Sequence, residues 1–301
     1  MFVIVRIVVV IAAIVGGYLM EHGNLRVLMQ PAELLIIGGA AAGTVLIANP
    51  LHILKEILHG ITGLFGGSKY SKAKYMESMK MLFELFSRAR KEGLMALETD
   101  SDNPEQSLVF SKYPAFLKDH EVQAFVCDTI RMAAAGGIEA FDVDQMMELD
   151  MEVHHHEEGL PVSALSTMAD SLPGLGIVAA VLGVVITMGA LGGPPEEIGR
   201  KVAAALVGTF LGILLCYGFV GPIAANMAKT AEEEHAYYHV LRVVIVSFIK
   251  GSPPSVAVEF GRRAIPGHVR PPFTELEKFI KERDAAPAAE AAAPEPAPSG
   301  D

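Results

Sequence analysis

Four stretches of the chain are apolar and almost free of charge: roughly 2–20, 32–50, 172–192 and 201–226. A helix needs about 20 apolar residues to cross the hydrocarbon core of a bilayer, so each stretch is predicted as a membrane span. The spans pair into two hairpins closed by the short connectors "EHGNLRVLMQPA" and "GGPPEEIGRK". A polar segment, 51–171, lies between the hairpins, and a polar tail follows from 227. Within "YSKAKYMESMKMLFELFSRARKEGLMALE", Met76, Met79, Phe83 and Phe86 recur every three or four residues and predict one amphipathic helix. "DNPEQS" interrupts it, and "YPAFLKDHEVQAFVCDTIRMAA" predicts a second helix.

The pattern predicts an all-α integral membrane protein, with four transmembrane helices in two hairpins and a large helical cytoplasmic domain. The expected boundaries are 1–50 for the first two spans and 51–171 for the cytoplasmic domain. Residues 172–226 hold the last two spans, 227–283 further cytoplasmic helices, and 284–301 a tail. That tail contains only Ala, Pro, Glu, Ser, Gly and Asp, and is expected to be disordered for want of buriable surface.

Charge sharpens the topology. The net charge of −11 argues against nucleic acid as a partner. Of the 24 Lys and Arg, 11 lie in 51–171 and 9 from 227 onward; the short connectors hold only Arg26, Arg200 and Lys201. Positive residues near span ends favour the cytoplasm, so both polar segments and both termini are expected there. Arg6 lies inside the first apolar run, and no A-x-A exit follows, so this run reads as a retained span with Arg6 snorkelling to the headgroups. Cys127 lies in a polar segment and Cys216 in a span, which excludes a disulfide framework.

Few residues suggest bond-making chemistry. His154, His155 and His156 are consecutive and point three ways on a helix, so with Glu152, Glu157 and Glu158 they read as a solvated face rather than a metal site. No phosphate loop, zinc signature or nucleophile elbow appears. The chain is therefore expected to be no enzyme, with no catalytic residue, resident metal or cofactor.

The spans carry more. Gly176, Ala180, Gly183 and Thr187 form a small-residue stripe on span three, and Ala204, Gly208, Gly212 and Cys216 form another on span four. In lipid, small residues let helix backbones approach and gain packing contacts. The stripes fit packing within one bundle. The bulkier first two spans favour instead an inner ring of spans three and four facing other subunits. No Asp, Glu, Lys or His falls near the middle of any span, leaving Thr187, Thr209 and Tyr217 as polar groups. Intramembrane acids mark proton pathways, so a conducting role requires a carboxylate from another chain. Pro173 is expected at a helix start, capped by Ser171 or Asp170, and Pro222 at a kink late in span four.

"GGYLM" (16–20), "QPAEL" (30–34), "SKY" (68–70), "DSLPGLGIVAAVLGVV" (170–185), "VGTFLGILLCYGFVGP" (207–222) and "VAVEFGRR" (256–263) resemble the MotA family of flagellar stator subunits. The likeness is to its proton-driven, long-chain branch and runs from about residue 1 to 283. It implies an inner-membrane protein, five copies of which ring two copies of a single-span partner, MotB. The partner's membrane aspartate carries the proton and would supply the carboxylate missing here. Proton flow would drive torque on the rotor, serving swimming and chemotaxis. Pro173 and Pro222 match the family's two prolines, tied to coupling proton flow with movement. Arg90 and Glu98 match the charged residues that engage FliG of the rotor, and nearby Arg88 and Lys91 leave open which basic group dominates. Sodium-driven relatives have a threonine where this chain has Ala180, so the resemblance implies proton as the transported ion; Thr209 is common to both branches. Met29 departs from the family's usual Tyr. Two other readings compete: an ExbB/TolQ-type energising subunit, from families with typically three spans, and a passive membrane scaffold.

Overall fold

The computed structural model describes residues 2–64, 66, 69–189 and 192–281, and all regular structure among them is helical. In chain order the helices are α1 (Phe2–Met20), α2 (Leu25–Leu28), α3 (Pro31–Ala48), α4 (Leu51–Gly63), α5 (Lys72–Glu92), α6 (Met95–Asp102) and α7 (Pro114–Lys118). They continue as α8 (His120–Ala135), α9 (Ala140–Met188), α10 (Pro195–Leu214), α11 (Gly221–Ile249), α12 (Pro254–Ala264) and α13 (Phe273–Lys281). Local chemistry sets many of the ends. Prolines open α3, α7, α10 and α12, where a missing N–H has no helical partner to lose. The Ser71 side chain accepts from the Lys74 amide at the start of α5, and Gly93, at φ +90°, ends it.

Two units divide the chain, residues 1–69 with 150–235 and residues 70–149 with 236–301; α9 and α11 contribute to both. In the first unit, Leu25–Ala48, Ala140–Met188 and Pro195–Ile249 contain stretches long and apolar enough to cross a membrane. The first expected span corresponds to a shorter apolar helix, Val5–Met20. Its core has two parts. Ile37 and Ala41 of α3 pack with Ala169, Leu172 and Ala179 of α9 and with Cys216. Ile53 and Ile57 of α4 pack with Ala164 and Leu165 of α9 and Ala224 and Met227 of α11.

The expectation about Pro173 needs correction. Pro173 does not start a helix: α9 runs unbroken for 49 residues with Pro161 and Pro173 inside it. Ser171 is therefore no cap, and its hydroxyl donates to the Met168 carbonyl one turn back at 2.7 Å. Pro222 is preceded by a six-residue π-helical stretch, Leu215–Val220, in which the Gly221 amide reaches back five residues to the Cys216 carbonyl. This wider turn accommodates the proline by rearranging hydrogen bonds while the chain stays helical.

The second unit is built on α5. Met79 and Phe86 are fully buried, and Phe86 stacks on Phe248 with ring centroids 4.0 Å apart. Tyr237 is buried, its hydroxyl 2.7 Å from Ser78 Oγ, and burial raises its phenol above the usual range. The single helix expected across 70–98 breaks at Gly93 into α5 and α6, and the next breaks at Asp119 into α7 and α8. The acidic tail lies outside the described residues.

In the first unit the backbones of α9 and α10 come together at Gly176 and Gly212. A β-carbon built on Gly212 would lie 2.6 Å from the Leu172 carbonyl oxygen and 2.8 Å from Gly176 Cα, both backbone atoms that cannot turn aside. Gly212→Ala is therefore expected to destabilise the protein by about 1–3 kcal/mol. Gly159→Ala, at an exposed α9 position with open space, should be neutral or stabilising. Thermal unfolding in detergent checks both, and equal melting temperatures for the two variants would contradict the packing described.

Candidate functional site

All four glycines predicted for helix packing sit between α9 and α10 of the same chain. Gly176 faces the Gly208 carbonyl and Gly212 Cα, with a built β-carbon at 2.9 and 3.1 Å; Gly183 faces Ala205 Cβ at 2.8 Å. These four glycines thus serve packing within one chain, where the two helix backbones in contact use up their small faces. The outward side of α9 is bulky, with Ile177, Val178, Val181, Leu182, Val184 and Val185 exposed. Ala180 and Thr209 are half-buried beside this contact, and Tyr217, in the π stretch, is exposed.

Glu33 drew no attention in the sequence beyond its place in "QPAEL". It lies in the first turn of α3 yet is only 7% exposed. A β-carbon on Gly208 would meet Glu33 Oε2 at 2.7 Å, and one on Gly183 would lie 3.6 Å from Oε1. The carboxyl fills the space these two glycines leave, and Oε2 has no hydrogen-bond partner among the described residues. No local sequence signal marks the enclosure, because only packing decides which atoms the glycines of α9 and α10 face.

The charged loop of the second unit sorts its residues sharply. Arg88 donates to both carboxylate oxygens of Asp100, at 2.8 and 2.9 Å, and to Glu92 at 2.8 Å. Asp100 is 2% exposed and also accepts from Ser107 Oγ at 2.7 Å, whose oxygen in turn accepts from the Val109 and Phe110 amides. The hydrogen bond to Glu92, with the charge of Asp100, holds the Arg88 guanidinium above its usual pKa. Arg88 is thus committed to internal structure. Arg90 is exposed and spends one N–H on the Gly251 carbonyl at 2.9 Å. Lys91 is exposed and Glu98 half-buried; they flank Gly93 without an ion pair among the described residues.

The "VAVEFGRR" stretch has a structural role. Glu259 accepts from Arg262 at 2.7 and 2.8 Å and from Arg263 at 2.8 Å, and these bonds, Arg262 foremost, hold its carboxyl down to about 2. Gly261 is required because a side chain there would strike Val244 and Met79. His154 and His155 each meet a different glutamate of α11, Glu234 at 3.5 Å and Glu232 at 3.8 Å, and His156 is exposed.

Long apolar helices locked together by glycines mark a helical membrane protein, and comparison with known proteins gives its family. Residues 118–239 match the MotA/TolQ/ExbB proton channel family, and residues 4–93 match the N-terminal part of motility protein A. Motility protein A of Escherichia coli is 39% identical over 281 residues, covering 93% of this chain and 95% of that protein. The chemotaxis protein LafT of Vibrio parahaemolyticus is 36% identical, covering 92% and 98%. The chain belongs to the motility protein A family. The fold agrees with the solved MotAB structures of Bacillus subtilis (TM-score 0.70, 23% identity, 92% and 98% covered) and C. jejuni (TM-score 0.73, 19% identity, 88% and 95% covered).

Removing Arg88 would strand a buried carboxylate. Arg88→Ala should therefore destabilise by about 3 kcal/mol, the low end for a broken buried pair because Arg88 remains one-fifth exposed. Lys91→Ala should stay within about 0.5 kcal/mol. Thermal unfolding of the purified variants compares them, and an Arg88→Ala protein as stable as Lys91→Ala would refute the assignment.

Proposed function

We propose that the chain is a stator subunit of the bacterial flagellar motor. With a MotB-type single-span partner it forms a proton channel that couples proton flow to torque on the rotor. The carrying observation is the 39% identity to a motility protein A, kept along 93% of the chain. The same observation favours this reading over the ExbB/TolQ energisers that share the broader channel family. In this account the protein sits in the inner membrane with four spans, α1 included, and both termini in the cytoplasm. Five subunits surround a partner dimer whose membrane aspartate carries the proton. Pro173 and Pro222 transmit the proton's passage: each removes a helical N–H, and the π stretch before Pro222 is a place where hydrogen bonds can exchange partners.

Arg90, Lys91 and Glu98 are the groups left to meet the rotor protein FliG, because Arg88 is consumed by Asp100. Deleting the gene in the source bacterium should abolish swimming while flagella still assemble, and re-expression should restore it. Charge reversal at Arg90 or Glu98 should impair swimming yet leave membrane assembly intact, since Arg90 is exposed and the half-buried Glu98 makes no ion pair among the described residues. Motility tracking alongside membrane immunoblots reads both. Normal swimming in both single reversals would remove the rotor assignment.

The ion follows from Ala180. Sodium needs several oxygens in place of its hydration shell, whereas a proton needs a carboxylate and hydroxyl or water relays. A methyl at Ala180 supplies no lone pair, which leaves Thr209 as the neighbouring hydroxyl. Swimming speed at fixed membrane potential and pH should not change when sodium is removed. Speed that collapses without sodium and recovers on its return would overturn the proton assignment.

A further inference from the structure

The carrier carboxylate of the proposed channel belongs to the partner, yet this chain buries an acid of its own inside the membrane unit. We propose that Glu33 is a second proton-holding site, one per subunit; the proposal rests on the channel reading above. Three observations converge on it. Glu33 is 93% removed from solvent, and Oε2 has no donor among the described residues. The space it occupies exists only because positions 183 and 208 are glycine, since a β-carbon at 208 would meet Oε2 at 2.7 Å. The same built β-carbon would lie 3.3 Å from the backbone nitrogen of Ala180, the residue on which the proton assignment proposed above rests.

Charge around the site is sparse. Between Asp170 and Met188, α9 carries no titratable group. On α10, Glu196, Glu197, Arg200 and Lys201 lie in the first two turns, and Lys201 pairs with Glu197 at 3.2 Å. On α2, Arg26 is exposed. With no cation or donor to meet it among the described residues, an ionised carboxylate is costly in this apolar enclosure. Glu33 lies near the polar connector 21–30, from which water can reach the first turn of α3. The step is a simple exchange. The carboxylic acid passes its proton to a water or to the partner's carboxylate, and a hydronium ion then reprotonates the carboxylate, yielding carboxylic acid and water. Only O–H bonds form and break.

The test uses the complete complex, co-expressed with its single-span partner and reconstituted in vesicles containing a pH-sensitive dye, under an imposed membrane potential. Glu33→Gln is expected to assemble and melt like the wild type but to conduct protons at least about tenfold more slowly. Glu33→Asp should recover most of the flux. Wild-type flux through an assembled Glu33→Gln complex overturns the proposal. Labelling of the unaltered complex with an apolar carbodiimide, which attacks protonated carboxyls in apolar surroundings, covers the case of a variant that fails to assemble. Mass spectrometry should find the adduct on Glu33, with flux falling as labelling rises; an unlabelled Glu33 overturns the proposal. A wild-type complex that carries no protons would defeat the channel reading itself, while the labelling result would still report separately on Glu33.

Discussion

Everything in the membrane unit depends on one contact, the meeting of the α9 and α10 backbones at Gly176 and Gly212. In water, glycine inside a helix costs about 1 kcal/mol relative to alanine. In lipid no hydrophobic force pulls helices together, so packing between backbones must supply the association. Here a β-carbon on either residue would come within 3.1 Å of main-chain atoms of the other helix. This intimacy sets where Gly183 and Gly208 fall, and their missing side chains leave the space that Glu33 of α3 fills. It also turns the bulky side of α9 outward, toward lipid or other chains. The weakness of a glycine-rich span thus becomes the means of assembling three helices around one acid.

The second unit follows a different rule, in which a buried charge is made tolerable by being fully bonded. Asp100 takes two bonds from Arg88 and one from Ser107, and that same hydroxyl accepts from two backbone amides. The cluster anchors the turn at Gly93 and leaves Arg90 and Lys91 on its surface. Glu259 does comparable work for α12 by binding Arg262 and Arg263. Both clusters contain charges that look alike in sequence and differ entirely in availability. Arg88 and Arg90 are two residues apart, yet one is bound inward and the other is exposed.

Apolar length and helical period made most of the helices legible, because those signals are local. The face of each glycine stripe was not legible, since Gly176 looks the same whether it meets Gly212 of its own chain or a neighbour. Pro173 misled because proline usually marks a boundary, whereas the long helix α9 absorbs it. Asp119 and Gly93 broke helices within periodic stretches, where a single turn outweighed the pattern. Glu33 was hidden for a related reason. An acid at a span edge is ordinarily solvated, and only the glycines of two distant segments show that this one is enclosed.

The glycine faces of α9 and α10 are spent on each other and enclose Glu33. The most direct measurement is an experimental density map of the chain assembled with its single-span partner, at a resolution that separates the helix backbones. The expected result is Gly176 against Gly212 within each subunit, and the Glu33 carboxyl enclosed beside Gly183 and Gly208. A map in which those glycines face the partner helix or an adjacent subunit, with Glu33 open to solvent, would contradict it.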